Sequence, residues 1–280
     1  MKEQKTIVPP IKCQGIKTKI VPFIREHVRL DRDRFWIEPF VGTGAVAFNI
    51  AHPNAILSDK NPYIIDFYKG VQNGTITPEI VRAFLELHGA RLSEGGAGYY
   101  KEIRDAFNKN KDPLYFLFLD RAAFNGMIRF NSKGEFNVPF CHKPDRFSKA
   151  YITKICNQVR NTAEVMEGKN WQFVCCPWKE TMLMAEKGDY IYLDPPYIGR
   201  NTKYVGEWSE AEAVELAKYA KQTPANVCLS MWKEDAFRRN SHLFEYWSDF
   251  SWFDIEHFYH VGAKEGNRHS IVEVLAIKNV

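Results

Sequence analysis

Residues 34–62, RFWIEPFVGTGAVAFNIAHPNAILSDKNP, constrain the fold more than any other stretch of the chain. The run 34–40 is mostly apolar but too short for a helix, which points to a buried strand. It ends in a turn carrying Gly42 and Gly44, and AVAFNIA then has the composition of a helix. A second short strand, NAILSD, ends at Asp59 and is followed by helical YIIDFYKGVQ. Strand, glycine turn, helix, strand, acid is the opening of a βαβ unit, whose crossover makes neighbouring strands parallel. The expected class is therefore α/β with a Rossmann-like sheet. Glycines at the head of a helix let backbone N–H groups approach a ligand closely. An acid ending the next strand can accept hydrogen bonds from ribose hydroxyls. Ala47 occupies the place of the third glycine in the dinucleotide fingerprint, so the loop reads either as a nucleoside site or as a plain tight turn.

The alternating strand signature returns at 171–175, 189–193, 226–232 and 271–277, with the helical SEAEAVELAKYAKQ between the second and third of these. From about 70 to 165 the pattern is instead helical around a turn-rich stretch, RFNSKGEFNVPF. This predicts one α/β domain, residues 1–69 and 166–280, split by a mostly helical insertion, residues 70–165, that carries a β-hairpin. The net charge is only +4, yet residues 101–160 hold 12 Lys and Arg against 6 Asp and Glu. A basic insertion suits contact with a polyanion, and equally a solvated basic surface. Hydrophobic residues at 45% exclude a disordered chain. No apolar run reaches the roughly 20 residues of a membrane helix. The N-terminus, MKEQKTIVPP, lacks the apolar core of an export signal, and the six cysteines form no Cys-x-x-Cys pair. These features predict a cytoplasmic protein with reduced thiols, without a membrane partner and without a metal.

The strand at 189–193 runs directly into Asp194-Pro195-Pro196-Tyr197. One reading is a rigid turn. The other is a pocket for an exocyclic amino group. Such an amine is a poor nucleophile, because its lone pair is delocalised into the ring. Acceptors for its two hydrogens favour the pyramidal nitrogen that exists near the transition state. Asp194 offers a carboxylate, Pro195 a carbonyl with no N–H to compete, and Tyr197 a face for stacking. A base in a duplex reaches such a pocket only when flipped out. In the insertion, the turn signals Asn125-Gly126 and Lys133-Gly134 stand among Phe124, Met127, Arg129 and Lys133. An apolar wedge beside an arginine suits the opening of a base pair and the reading of a guanine edge. Buried aromatics of a small subdomain are the plainer alternative.

In order along the chain, PPIKCQGIKTKIVPFI, EPFVGTG, LSDKNP, FNGMIRFNSKGEFNVPF and DPPY resemble the Dam-type (D12 class, α group) DNA adenine-N6 methyltransferases. QGIKTK, FNGMIRFNSKG, AYITKI, DPPYIGR and EHFYHVGA are most similar to the EcoRV modification methylase branch. The resemblance spans nearly the whole chain. It implies methyl transfer from S-adenosylmethionine to a flipped adenine in a short sequence of double-stranded DNA, by a monomer that is the modification partner of a restriction-modification system. It implies cofactor contacts from Cys13, Lys17, Glu38, Phe40, Gly42, Gly44, Asp59 and Asp194, and catalysis at Asp194, Pro195, Pro196 and Tyr197. Cys13 stands where the family usually has tryptophan, and Ile16 replaces one glycine of its usual pair. The resemblance further implies DNA contacts from Lys12, Phe124, Asn125, Met127, Arg129 and Lys133, and a target beginning Gua-Ade-Thy. From their Gly, Lys and Arg content, residues 198–208 and 261–268 are expected to be mobile loops that order around DNA or the flipped base. Three other readings compete. An RNA adenine methyltransferase would share the amine chemistry but would face a deep, narrow groove. An idle DNA-binding regulator would have no use for the amine pocket, and a nicotinamide oxidoreductase leaves Pro-Pro-Tyr unexplained.

Overall fold

The computed structural model describes residues 6–13, 15–198, 208–235, 237–258 and 270–280. The elements, in order, are α1 (Val21–His27), β1 (Trp36–Glu38), α2 (Ala45–Ile50), β2 (Asn54–Asp59), α3 (Pro62–Gln72), α4 (Pro78–Asn110), α5 (Pro113–Ala122) and α6 (Lys149–Met166). Then follow β3 (Asn170–Cys175), α7 (Trp178–Leu183), β4 (Tyr190–Leu193), α8 (Glu210–Gln222), β5 (Asn226–Asp235), α9 (Ser241–Tyr246), β6 (Ser251–Phe258) and β7 (Ser270–Lys278). The strands form one sheet ordered β3-β2-β1-β4-β5-β7-β6. The first five are parallel, whereas β7 runs antiparallel between β5 and β6.

Side chains on successive strand residues face opposite ways, and the two faces have separate cores. Trp36, Leu57, Tyr190 and Tyr192 join one buried cluster, and Ile37, Ile56, Ile191 and Leu193 the other. Both faces being covered, β1 and β4 are buried throughout, which explains their unbroken apolar runs. β6 gave no strand signal in the sequence because it is an edge strand whose residues 251–256 are exposed or half-exposed.

The insertion is helical, as expected, but it has no core of its own. Phe107, Phe116, Phe136 and Val138 are buried in the same cluster as Phe48, Leu57 and Ile65 of the sheet domain. Its long helix α4 breaks at Gly96, whose φ of 52° belongs to the left-handed region. The expected hairpin is a loop bridged at Phe130–Phe136 and Ala123–Phe140, without a continuous ladder. The ladder stops because the next groups along it are taken or missing: the Asn137 carbonyl accepts from a side chain and Pro139 has no N–H, while the Phe136 groups point away from the partner strand. Asn108 of α4 takes both the N–H and the carbonyl of Phe136, and the Arg129 guanidinium takes the carbonyl of Asn137. The segments 199–207 and 259–269, which hold most of the two stretches expected to order around DNA, lie outside the described residues.

Candidate functional site

The chain reverses its direction of strand addition between β1 and β4, and at such a switch point loops diverge from the carboxyl ends of the strands to leave a crevice. A cavity of about 430 Å³ lies there. Cys13, Lys17, Glu38, Phe40, Gly42, Asp59, Asp194, Pro195, Pro196 and Tyr197 all line it. Three acids thus converge from the ends of three parallel strands: Glu38 from β1, Asp59 from β2 and Asp194 from β4. Gly44 does not line the cavity. It begins α2 with φ 72°, and a Cβ there would come within 2.4 Å of the Phe48 ring, so its close approach is to the core.

Lys17 opens a short 3-10 turn and is only 5% exposed. Its Nζ lies 2.9 Å from Asp194 Oδ1 and donates to the Tyr197 hydroxyl at 3.1 Å. Burial alone would depress the Lys17 pKa, but the facing Asp194 carboxylate, with Tyr197, more than offsets this and holds it well above its usual value. Behind Asp194, Ser230 hydrogen-bonds the carboxylate, and its hydroxyl is 2.7 Å from that of Tyr192. The carboxylate is therefore oriented from two sides, and each oxygen has lone pairs to spare.

Asp59 accepts from the N–H groups of Gly42 and Asn61 at 2.9 and 2.8 Å. Burial raises its pKa, and these backbone bonds oppose the rise. Glu38 accepts from Trp36 Nε1 at 2.7 Å and is 2% exposed. Burial pushes its pKa up to about 8, the Trp36 bond counters this, and the charge of Asp194 adds to it. An entering cation would favour its ionised form. The remaining wall is aromatic: Phe40 meets Trp208 edge-on at 5.5 Å, and Trp178 lies 6.5 Å from Trp208. Trp208 Nε1 is buried with no hydrogen-bond partner among the described residues.

Sequence reasoning missed Trp178, Ser230, Tyr192 and Ile128, and placed Trp208 only at the end of the stretch 198–208. Trp178 follows the carboxyl end of β3, a position that a strand-end rule would have flagged. The others are recruited by packing and left no local signal.

The candidate DNA contacts divide in two. Phe124 is 47% exposed, and Asn125 beside it adopts φ 54°. Lys12, also exposed, lies against Gly126 of the same turn. Lys133 is exposed at the loop tip. Met127 is half-buried and packs on the core, whereas Arg129 is braced by Asn137, its Nε donating to Oδ1 at 2.7 Å. Ile128, between them, lines the cavity.

A family model described as D12 class N6 adenine-specific DNA methyltransferase matches residues 14–265. A DNA adenine methylase of Salmonella typhi is 34% identical over 226 residues, 77% of this chain and 76% of the relative. The DNA adenine methylase of Escherichia coli K12 is 34% identical over 191 residues, 67% of this chain and 64% of its own length. That of Vibrio cholerae is 32% identical over 246 residues, 82% of each chain.

Proposed function

The chain belongs to the D12 class N6 adenine-specific DNA methyltransferases, and from that premise we propose that the cavity between β1 and β4 holds S-adenosylmethionine and a flipped target adenine together. Adenine-specific DNA methylation is the activity of the family. The finer reading concerns the site, the target and the biological setting. The observation that supports it is the Lys17–Asp194–Tyr197 cluster, set in one cavity with Glu38 and Asp59.

The donor groups fit the cofactor. A sulfonium ion with a ribose diol, an amino acid head and a flat base calls for acids, a hydroxyl acceptor and an aromatic wall. Glu38 and Lys17 suit the head group, Asp59 the ribose, and Phe40, Trp178 and the half-buried Cys13 the apolar parts. Gly42 aims its N–H at Asp59 and thereby orients the ribose acceptor. When bound, S-adenosylmethionine supplies an electrophilic methyl group, so the protein has mainly to position and polarise the amine. Asp194, oriented by Lys17 and Ser230, accepts one amine hydrogen, and the Pro195 carbonyl accepts the other. Tyr197 stacks on the base. Lys12, Phe124, Asn125, Met127, Arg129 and Lys133 contact double-stranded DNA in this reading, with Phe124 as the wedge that opens the pair. Similarity to the EcoRV modification branch supports a modification role beside a restriction endonuclease.

Purified protein, S-adenosylmethionine and unmethylated genomic DNA should yield N6-methyladenine confined to one short motif, mapped by single-molecule sequencing. Methylation of RNA alone, offered in parallel, would overturn the DNA-reading assignment. DNA modified to completion should resist an endonuclease that cuts the same motif.

A further inference from the structure

Residues 10–17 cross from the recognition insertion to the cofactor cavity, and two buried charged side chains grip them at the insertion end. Asp120 and Arg121 lie near the end of α5 and are 0% and 5% exposed. Asp120 Oδ2 accepts the N–H of Lys12 at 2.9 Å, and Arg121 Nε donates to the carbonyl of Pro10 at 2.7 Å. Arg121 also donates to the Gln158 side chain and to the Tyr151 hydroxyl, which Arg146 shares. Arg146 Nε in turn donates to the Arg121 carbonyl at 2.8 Å. Burying charges carries a desolvation cost that apolar residues would avoid, so this arrangement is better explained by placement than by stability. The second carboxylate oxygen of Asp120 supports this, being buried without a hydrogen-bond partner among the described residues.

What is placed is Lys12. Its backbone is held by Asp120, and its aliphatic stem lies over Gly126, where a Cβ would come within 2.5 Å of Lys12 Cδ and 2.9 Å of Cε. Gly126 closes the turn that exposes Phe124 and Asn125. The N-terminal segment and the insertion therefore form one packed unit at this point.

We propose that Asp120 is a specificity-determining positioning residue: by holding the Lys12 backbone, it sets the Lys12 head group against the Phe124–Gly126 turn, so that two segments far apart in the chain read neighbouring base pairs in fixed register. The proposal rests on the reading of Lys12 and this turn as DNA contacts. Asp120 itself is too buried to touch DNA.

The test is methylation of the mapped motif and of its single-base-pair variants by Lys12→Ala, Asp120→Ala, Asp120→Asn, Gly126→Ala and the Lys12→Ala/Asp120→Ala double variant. Lys12→Ala and Asp120→Ala should each lower discrimination at the same base pair by about tenfold, the size of one lost base contact. Asp120→Asn keeps an acceptor for the Lys12 N–H and should restore discrimination. The double variant should discriminate no worse than Lys12→Ala alone, because both changes remove one coupled interaction. Gly126→Ala displaces the stem without touching Asp120 and should affect the same base pair, which keeps the test open if Asp120→Ala does not fold. Equal losses on every sequence, with a lowered melting temperature, would make Asp120 merely structural and overturn the proposal. If Lys12→Ala loses discrimination while Asp120→Ala and Gly126→Ala keep it, the proposal falls and the DNA reading stands. If Lys12→Ala changes nothing, the assignment of Lys12 as a base reader falls and takes the proposal with it.

Discussion

Asp194 shows how far a single residue can be read from sequence. Its two prolines and its place after an apolar strand marked it, and the structure puts it at the switch point with an ammonium 2.9 Å away. Asp194→Ala should remove methyl transfer while leaving DNA affinity within a few-fold, measured by a filter-binding titration beside the methylation assay. Glu38 was named only through the family resemblance, and its protonation was not legible at all, since burial is a property of the folded chain. Its pKa of about 8 lies above that of a solvated glutamate, so the folded state holds this proton more tightly than the unfolded state. Its contribution to stability is therefore fully present below the ordinary glutamate range and is lost as pH rises through about 8. Cofactor-free protein should lose melting temperature over that window, and Glu38→Gln should flatten the loss. Affinity for a cationic cofactor should move the opposite way, strengthening as pH rises towards the same value. Calorimetry across the range that showed flat affinity would mean the two charges never meet. Ser230 and Tyr192 were invisible in advance because strand residues announce burial, not which carboxylate they will brace.

At the scale of elements, legibility followed burial. Strands β1 to β5 and β7 were readable because their apolar faces pack on helices, while the exposed edge strand β6 offered no pattern to read. The turn-rich loop of the insertion was expected with a regular ladder and has only isolated bridges. The Arg129 guanidinium takes the Asn137 carbonyl that a ladder would have used, Pro139 has no N–H to continue it, and Asn108, 28 residues upstream, ties the outward-facing groups of Phe136 to α4. Arg129 is braced by Asn137, so in the proposed reading it would meet DNA in a preset orientation. Arg129→Ala should weaken discrimination at one base pair by about 1–3 kcal/mol. Asn137→Ala, which frees the guanidinium without removing it, should cause a smaller loss at that same pair. A uniform loss across all sequences in Arg129→Ala would instead identify a phosphate contact. Competition assays with single-base-pair variants separate these outcomes.

For the whole molecule, the sheet domain and its insertion share one core, in which Phe107 and Phe116 of the insertion lie with Leu57 and Phe48 of the sheet domain. The protein should therefore unfold in urea as one cooperative unit, with tryptophan fluorescence and far-ultraviolet circular dichroism changing together. Two resolved transitions would show that the insertion has an independent stability after all. The sheet has a further consequence for how the chain is made. β7 is the last of its strands in sequence, yet it sits between β5 and β6 and supplies the hydrogen bonds that hold both. While a nascent chain emerges, β6 has no partner in place and β5, paired with β4 alone, keeps one side open until residues 270–278 have been synthesised. An open strand edge is a template for pairing with other chains. A chain in which residues 270–278 were deleted would thus expose such an edge on β5 and leave β6 unpaired.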